Sequence, residues 1–297
     1  MATSEGGAAG LTAANAAIAA NVAGAADAAE GQIGGPASAA RPARPRRSRT
    51  GGASQRFVNE PGFVLHTWPY KETSLIIDVL TRSHGRVGLV AKGAKRPGSA
   101  LRGILQGFVP LSLTWSRNMS RSGELGALIR AEWQGGIAPL RGEALLCGFY
   151  LNELLLKLLA RDDAHEALFD AYLEALARLA TGLDMAPTLR GFEAVLLREA
   201  GYGLQLEVCT RGLPVEPEGR YRYQPEHGPF ALGTRASVGD DAGPVVSGKT
   251  LLDIAAADYS DPRSLAEGKL LMRHVLQHHL GGQTLYTRQM IKDLQNL

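Results

Sequence analysis

The spacing of apolar side chains changes character along the chain. Residues 1–40 are dominated by Ala and Gly and hold almost no large apolar side chain. Such a stretch buries too little surface to offset chain entropy and is expected to be disordered. From Phe63 onward, short runs of β-branched and aromatic residues are bounded by turn formers, the pattern of strands. Strands are predicted over 62–68, 74–81, 86–92, 107–115 and 125–134, with Ser83-His84-Gly85 as the turn between the second and third and a short helix over Ser99 to Leu105. Five short strands with an element between the third and fourth match an OB-type barrel.

After Pro139 the apolar period becomes helical. In 140–160, Leu145, Phe149, Asn152 and Leu155 share one face, and Leu146, Leu154 and Leu158 widen the apolar sector. Helices follow over 165–181 (Leu168, Tyr172, Leu176, Leu179) and 187–200 (Leu189, Phe192, Leu196), the latter ended by Gly201. Residues 208–246 are rich in Gly and Pro and read as a loop-heavy insertion. Helices resume near 248–257 and 263–280, where Ser264 and Glu267 have capping-box spacing, and a last one runs from Thr287 to Asn296. The expected organisation is α+β: a tail over 1–55, an OB-fold barrel over 56–137, and a mainly helical domain over 138–297 carrying the insertion.

Charge changes the picture. The net charge is +3, but residues 56–143 carry twelve Lys/Arg against six Asp/Glu, while residues 144–297 carry fifteen against twenty. A basic segment beside an acidic remainder suits a polyanionic partner. The two cysteines, Cys147 and Cys209, form no CxxC pair, which fits a reducing compartment better than a disulfide scaffold. No run of about 18 uncharged apolar residues occurs, so no membrane partner is expected. The N-terminus lacks a secretory pattern, and the localisation expected is cytoplasmic, with nucleoid association following from a polyanion partner.

The strongest polyanion signal is Lys92-Gly-Ala-Lys-Arg-Pro-Gly-Ser-Ala-Leu-Arg102. Lys92, Lys95, Arg96 and Arg102 cluster at a strand end, and Gly93 and Gly98 let backbone amides approach phosphate oxygens. Lys71, Arg82, Arg86 and Arg130, from neighbouring strands and turns, are expected on the same face. The run 41–49, with five Arg interrupted by Pro, is a solvated basic arm. Phe63, His66, Trp68 and Tyr70 adjoin on the first strand, and Trp115 and Trp133 lie at strand ends; most are expected in the core, although exposed rings can stack on bases.

Catalytic signals are weak. His274 and His278 stand at i, i+4 beside His279, but Val275 replaces the Glu of HExxH. Gly201-Tyr-Gly203 lacks a third glycine, Gly248-Lys-Thr250 lacks the upstream Walker glycine, and there is no GxSxG. Cys147, in a Leu-rich helix, reads as packing. The leading reading is a binding protein without catalytic residues, cofactor or metal. The alternatives are a metal-dependent hydrolase built on the C-terminal His cluster and an adaptor that binds only protein.

Several segments in order carry a resemblance: Gly62-Phe-Val-Leu-His-Thr-Trp-Pro-Tyr-Lys-Glu-Thr-Ser-Leu-Ile-Ile-Asp78, His84-Gly-Arg86, Val90-Ala-Lys-Gly-Ala-Lys-Arg-Pro97, Leu101-Arg-Gly-Ile-Leu-Gln106, Gly148-Phe-Tyr-Leu-Asn-Glu-Leu154, Phe192-Glu193, Leu197-Arg-Glu199, Gly201-Tyr-Gly203, Leu280-Gly-Gly282 and Thr287-Arg288. Residues 57–294 thereby resemble the RecO family of bacterial recombination mediators. The resemblance implies an N-terminal OB-fold, a helical domain and a late inserted module. It further implies binding of single- and double-stranded DNA, annealing of complementary strands, and loading of recombinase with RecR onto DNA coated by single-stranded-DNA-binding protein (SSB), whose acidic, apolar C-terminal tail the family recognises. The family's basic loop corresponds to Lys92, Lys95, Arg96 and Arg102. Some members hold zinc with four cysteines in the inserted module, but here Cys209 is followed by Thr-Arg-Gly212, so no zinc is expected. An acidic, apolar tail calls for an apolar groove beside a cation, and Tyr150, Leu154 and Arg190 are the residues suggested for it.

Overall fold

The computed structural model describes residues 54–118, 125–232 and 243–295. The Ala-rich tail and the arginine arm lie outside the described residues. The chain divides into two compact units, one running to Thr81 and resuming over Val87–Gly136, the other comprising Arg82–Arg86 and everything from Ile137.

The first unit contains β1 (Ser54–Tyr70), β2 (Ser74–Thr81), β3 (Gly85–Ala91), α1 (Leu101–Ile104), β4 (Leu111–Asn118) and β5 (Gly126–Trp133). The strands close into a barrel in the order β1-β2-β3-β5-β4, with α1 between β3 and β4, an OB-fold arrangement. Its interior is filled by Val64, Ile77, Val79, Val87, Leu89, Leu111, Leu113 and Trp115, the inward positions of alternating strands. Phe57 stacks on Trp115 with ring centroids 4.8 Å apart. Strand β1 begins eight residues before the predicted start. Its first half pairs with β4 from Ser54↔Asn118 to Gly62↔Leu111, but the register shifts between Phe57 and Glu60, and Asn59 adopts φ 54°. A bulge breaks the period of two, which is why the sequence pattern conceals this half. The Asn59 amide is satisfied by the Thr114 hydroxyl at 3.1 Å.

The second unit contains α2 (Gly142–Leu158), α3 (Glu166–Ala180), α4 (Met185–Glu199), α5 (Gly248–Ala255), α6 (Pro262–His279) and α7 (Tyr286–Gln295). The predicted helices are present, but the buried strip of α2 is Ala144, Gly148, Leu151, Asn152, Leu154 and Leu155, whereas Phe149 is exposed. Leucines on all sides of this helix hide its phase. Asn152 is buried because its side-chain oxygen accepts a hydrogen bond from the hydroxyl of fully buried Tyr172 at 2.5 Å. The 208–246 insertion is more regular than expected. It forms a sheet in the order β7-β6-β8 from β6 (Arg220–Gln224), β7 (Gly228–Ala231) and β8 (Val245–Ser247). Tyr221 and Tyr223 are its inward residues, too few to register against the surrounding Gly and Pro. Upstream, Cys209 is buried, and backbone bonds Cys209 N to Leu213 O and Val215 N to Glu207 O, both 2.8 Å, hold its loop. Gly248 opens α5 where a Cβ would meet the Glu216 carbonyl oxygen at 1.8 Å, so this position admits no larger residue without backbone movement.

The expected capping box is wired differently. The N-cap of α6 is Asp261, which accepts from Arg263 N at 2.8 Å, while Ser264 donates to Asp253. Glu267 turns instead to the start of α5. Its Oε2 accepts from Ser247 N, Ser247 Oγ and Thr250 Oγ1 at 2.7–2.8 Å, and its Oε1 accepts from Arg263 Nε at 3.1 Å. Among the described residues no helix is long and apolar enough to cross a membrane.

Candidate nucleic-acid interface

The barrel's topology gathers cationic residues at one end. Strand β1 runs past its pairing with β4 at Gly62↔Leu111 and turns into β2 after Tyr70, so Lys71 lies in the turn at that end. Strands β3 and β5 are parallel, paired at Val90↔Ala127, so both deliver their C-terminal residues to this same end: Lys92 from β3 and Arg130 from β5. Two hydrogen bonds join the two turns. Lys95 N donates to Thr73 O at 2.8 Å, and Gly93 N donates to Ser74 Oγ at 3.4 Å. Lys71, Lys92, Lys95, Arg96 and Arg102 are all exposed.

The local backbone explains this exposure. Gly93 (φ 69°) and Gly98 (φ 78°) stand in the left-handed region, and successive turns are closed by Arg96 N to Gly93 O, Ser99 N to Arg96 O and Arg102 N to Ser99 O. Only Leu101–Ile104 is helical, shorter than predicted. The chain thus curls tightly from Lys92 to Arg102 while its long cationic side chains stay in water, where they can meet phosphates. Arg130 is exposed too, but it is paired with Glu132 at 2.5 Å.

Arg82 and Arg86 are not part of this cluster. Strand β2 carries the chain about 25 Å from the β1–β2 turn at roughly 3.3 Å per residue. The segment Arg82–Arg86 belongs to the second unit, where Arg82 pairs with Asp170 at 2.9 Å and Glu166 at 3.6 Å. There Arg86 donates to the Leu156 carbonyl, and a Cβ on Gly85 would fall 1.6 Å from Asp163 O. The sequence marks these residues as basic but cannot show that their charges are already used.

The residues suggested for the partner tail need a comparable correction. Leu154 is fully buried and lines no surface groove. Tyr150 and Arg190 are buried as well, because both serve Glu193: Tyr150 OH donates to Glu193 Oε1 at 2.6 Å, and Arg190 Nη2 donates to the same oxygen at 2.5 Å. Burial pushes the Glu193 carboxyl up, against the pull of Arg190, Tyr150 and Arg288. Burial and Glu193 together push the Tyr150 hydroxyl well up, keeping it protonated as a donor. On another side of α4, the second unit holds a cavity of about 750 Å³ with apolar walls from Pro187, Phe192, Val195 and Ile254, lined by Arg178 and Arg198 and also by Glu174, Asp184 and Glu207. Arg178 and Arg198 carry no motif that would have singled them out in the sequence.

The histidines of α6 are used locally. His278 Nε2 lies 3.3 Å from Glu226 Oε1, and His279 stacks on Tyr202 with centroids 4.1 Å apart. Burial, then the charge of His278, pulls the His274 imidazole down. Among the described residues no three His, Cys, Asp or Glu side chains form a group able to hold a metal ion. Burial, followed by Glu143, pushes the Cys147 thiol up, which disfavours the nucleophilic thiolate.

Comparisons with known proteins match both units. Residues 55–136 fit the family model "Recombination protein O N terminal" and residues 140–288 the model "Recombination protein O C terminal". The chain is similar to DNA repair protein RecO of Ralstonia nicotianae (54% identity over 247 residues, 82% of this chain and 88% of the relative). It is also similar to DNA repair protein RecO of Aromatoleum aromaticum (51% over 245 residues, 82% and 98%) and of Burkholderia pseudomallei (52% over 242 residues, 82% and 86%).

Proposed function

Because the chain belongs to the RecO family, whose members act in DNA repair and recombination, we propose that it is a mediator that works by binding and carries out no bond chemistry. In this reading it grips single- and double-stranded DNA through the cationic end of the barrel, anneals complementary strands, and with RecR helps load recombinase onto SSB-coated DNA. The observation that carries the reading is the fastening of the Lys92–Arg102 turn to the Lys71 turn through Lys95 N and Thr73 O. That bond sets four exposed cations on one rim, where phosphates of one strand can reach them together. Arg102 and Arg130 flank them, whereas Arg82 and Arg86 are engaged within the second unit.

The test is binding of a labelled single-stranded oligonucleotide across a salt series, with Lys92/Lys95/Arg96→Ala as the variant. Each phosphate contact to a single strand contributes a slope of about 0.7 in log affinity against log salt, so loss of three contacts should flatten the slope by about 2. Weaker binding on single and duplex DNA alike is the expected companion. An unchanged slope, or a slope near zero in the unaltered protein, would count against this rim.

For the partner tail we propose the apolar wall of the cavity beside α4 next to Arg198, which is 64% exposed, in place of buried Leu154. Titration of the SSB tail peptide should weaken at least tenfold in Arg198→Glu while DNA binding is retained. Tight peptide binding in that variant would place the tail elsewhere.

A further inference from the structure

Beyond Gly62, β1 no longer pairs with β4 and runs on with β2 as its strand partner. On this overhang His66, Trp68 and Tyr70 occupy alternate positions, which places them on one face. His66 and Trp68 are exposed, Trp68 at 37%, and their rings meet edge to face with centroids 4.4 Å apart. Tyr70 is half-buried, and Lys71 Nζ sits 5.2 Å from its ring centroid. Tyr70 pairs with Ser74, whose hydroxyl receives Gly93 N. The row of rings therefore ends at the turns that hold Lys71, Lys92, Lys95 and Arg96. Other barrel aromatics are placed differently: Phe57 stacks on buried Trp115, and Trp133, 67% exposed, stands at the end of β5 opposite Leu111. Glu72 is the acidic residue of the β1–β2 turn and is exposed; Asp78, opposite His66, is buried.

We propose that His66, Trp68 and Tyr70 form a stacking ladder for unpaired bases, making the barrel end selective for single-stranded over double-stranded DNA. The inference rests on the cationic rim binding DNA, and adds which chemical feature of the strand is read. Alternate strand residues stand about 6.6–6.8 Å apart along the backbone, and the His66 ring leans edge to face against Trp68, whose indole remains 37% exposed. Bases in a duplex are stacked at about 3.4 Å and present only their edges. The exposed Trp68 ring, braced by His66, can thus receive a base that has left its stack, with Tyr70 two residues on, and a duplex cannot offer a base face there without melting. The phosphates of the same nucleotides then run toward Lys71 and Lys95.

The experiment compares the full chain with Trp68→Ala and Trp68→Phe on oligothymidylate and on a duplex of equal length. Stacking contributes roughly 1–3 kcal/mol per base, so Trp68→Ala should lose about five- to a hundredfold on the single strand. Its duplex affinity and salt slope should stay unchanged, and Trp68→Phe should restore most of the loss. A readout that needs no alanine variant is tryptophan fluorescence in a Trp133→Phe background, where Trp115 is buried. Oligothymidylate should quench it and duplex should not, and adding Trp68→Phe should abolish the quench. An unchanged single-strand affinity, or equal losses on both DNAs, would overturn the ladder while leaving the cationic rim standing. Failure of the unaltered chain to bind either DNA would overturn the rim itself. Loss of RecR capture in Trp68→Ala, with DNA binding intact, would make this face a protein interface and overturn the proposal as well.

Discussion

Arg190→Ala is expected to destabilise the second unit by about 3–5 kcal/mol, the range observed when one partner of a buried ion pair is removed. Glu193 has no exposed surface, and Arg190 supplies the charge in contact with it, with Arg288 adding a weaker pull. Tyr150 OH is the other donor to the same oxygen, and a neutral hydroxyl cannot compensate a buried carboxylate. Without the guanidinium the carboxyl must take up a proton to remain inside. The sign of the pH dependence follows from that. Glu193 already has a raised affinity for protons in the folded state, so its contribution to stability falls as pH rises from the ordinary carboxylate value of 4.5 through the raised value. In Arg190→Ala the raised value moves further up, and the variant should lose more stability relative to the unaltered chain at pH 8 than at pH 5. Urea unfolding followed by far-ultraviolet circular dichroism at both pH values measures this. The Arg190→Met/Glu193→Gln pair should recover most of the loss, because both charges leave together. A loss below about 1 kcal/mol in Arg190→Ala would mean that the carboxylate is hydrated or otherwise neutralised.

The second large effect is expected at Glu267, with the opposite pH signature. Burial alone would raise this carboxyl, but the bonds from Ser247 N, Thr250 Oγ1, Ser247 Oγ and Arg263 outweigh it and pull it from 4.5 to about 2. At about 1.4 kcal/mol per pH unit, a difference of this size is worth on the order of 3 kcal/mol when the carboxylate is ionised. The carboxylate lies near the surface, so solvent screening takes a share of that figure. A group whose value is lowered by folding contributes fully above its unfolded value and loses that contribution as pH falls toward its folded value. Glu267→Gln should therefore cost roughly 2–3 kcal/mol above pH 5, and the gap to the unaltered chain should close between about pH 4.5 and 2. Glu267→Ala should cost at least as much, since it also strands the amide of Ser247 and the hydroxyl of Thr250. Unfolding curves across pH would check both. A gap that persists unchanged at low pH would show that packing, and not charge, is what the residue provides.

The contrast between these two acids shows what pattern reading can reach. Glu267 stands three residues after Ser264 in capping-box spacing, and the sequence points to a local cap. The side chain instead reaches the start of another helix, because Asp261 already serves the local amide. Glu193 sits in the FE pair of the family resemblance, yet one of its two donors, Tyr150, comes from another helix 43 residues away in sequence, while Arg190 stands one turn before it on its own helix. Arg82 and Arg86 read as part of a basic surface and are occupied in the second unit, whereas Lys92, Lys95 and Arg96 read the same way and are exposed. Local composition is identical in kind for the two groups. What differs is which acids and carbonyls the fold brings near them.

By itself, the amino-acid sequence determined the barrel strands, the helices and their order, but not the three-stranded sheet of Arg220–Ser247 or the first half of β1. Strand and helix periods depend on neighbours two to four residues apart, so the barrel strands, the helices and the change between them were legible. So were the excess of positive charge in the barrel segment and the absence of a second cysteine after Cys209. The tertiary structure alone decided which cations share a rim, since that depends on the parallel β3–β5 pairing and on the bond between Lys95 and Thr73. It also decided that Val64 and Trp115 fill the barrel while His66 and Trp68 face water, because a bulge at Leu65 resets the faces of β1. Periodicity reports which residues alternate. Only closure of the sheet determines which side of the alternation is inside.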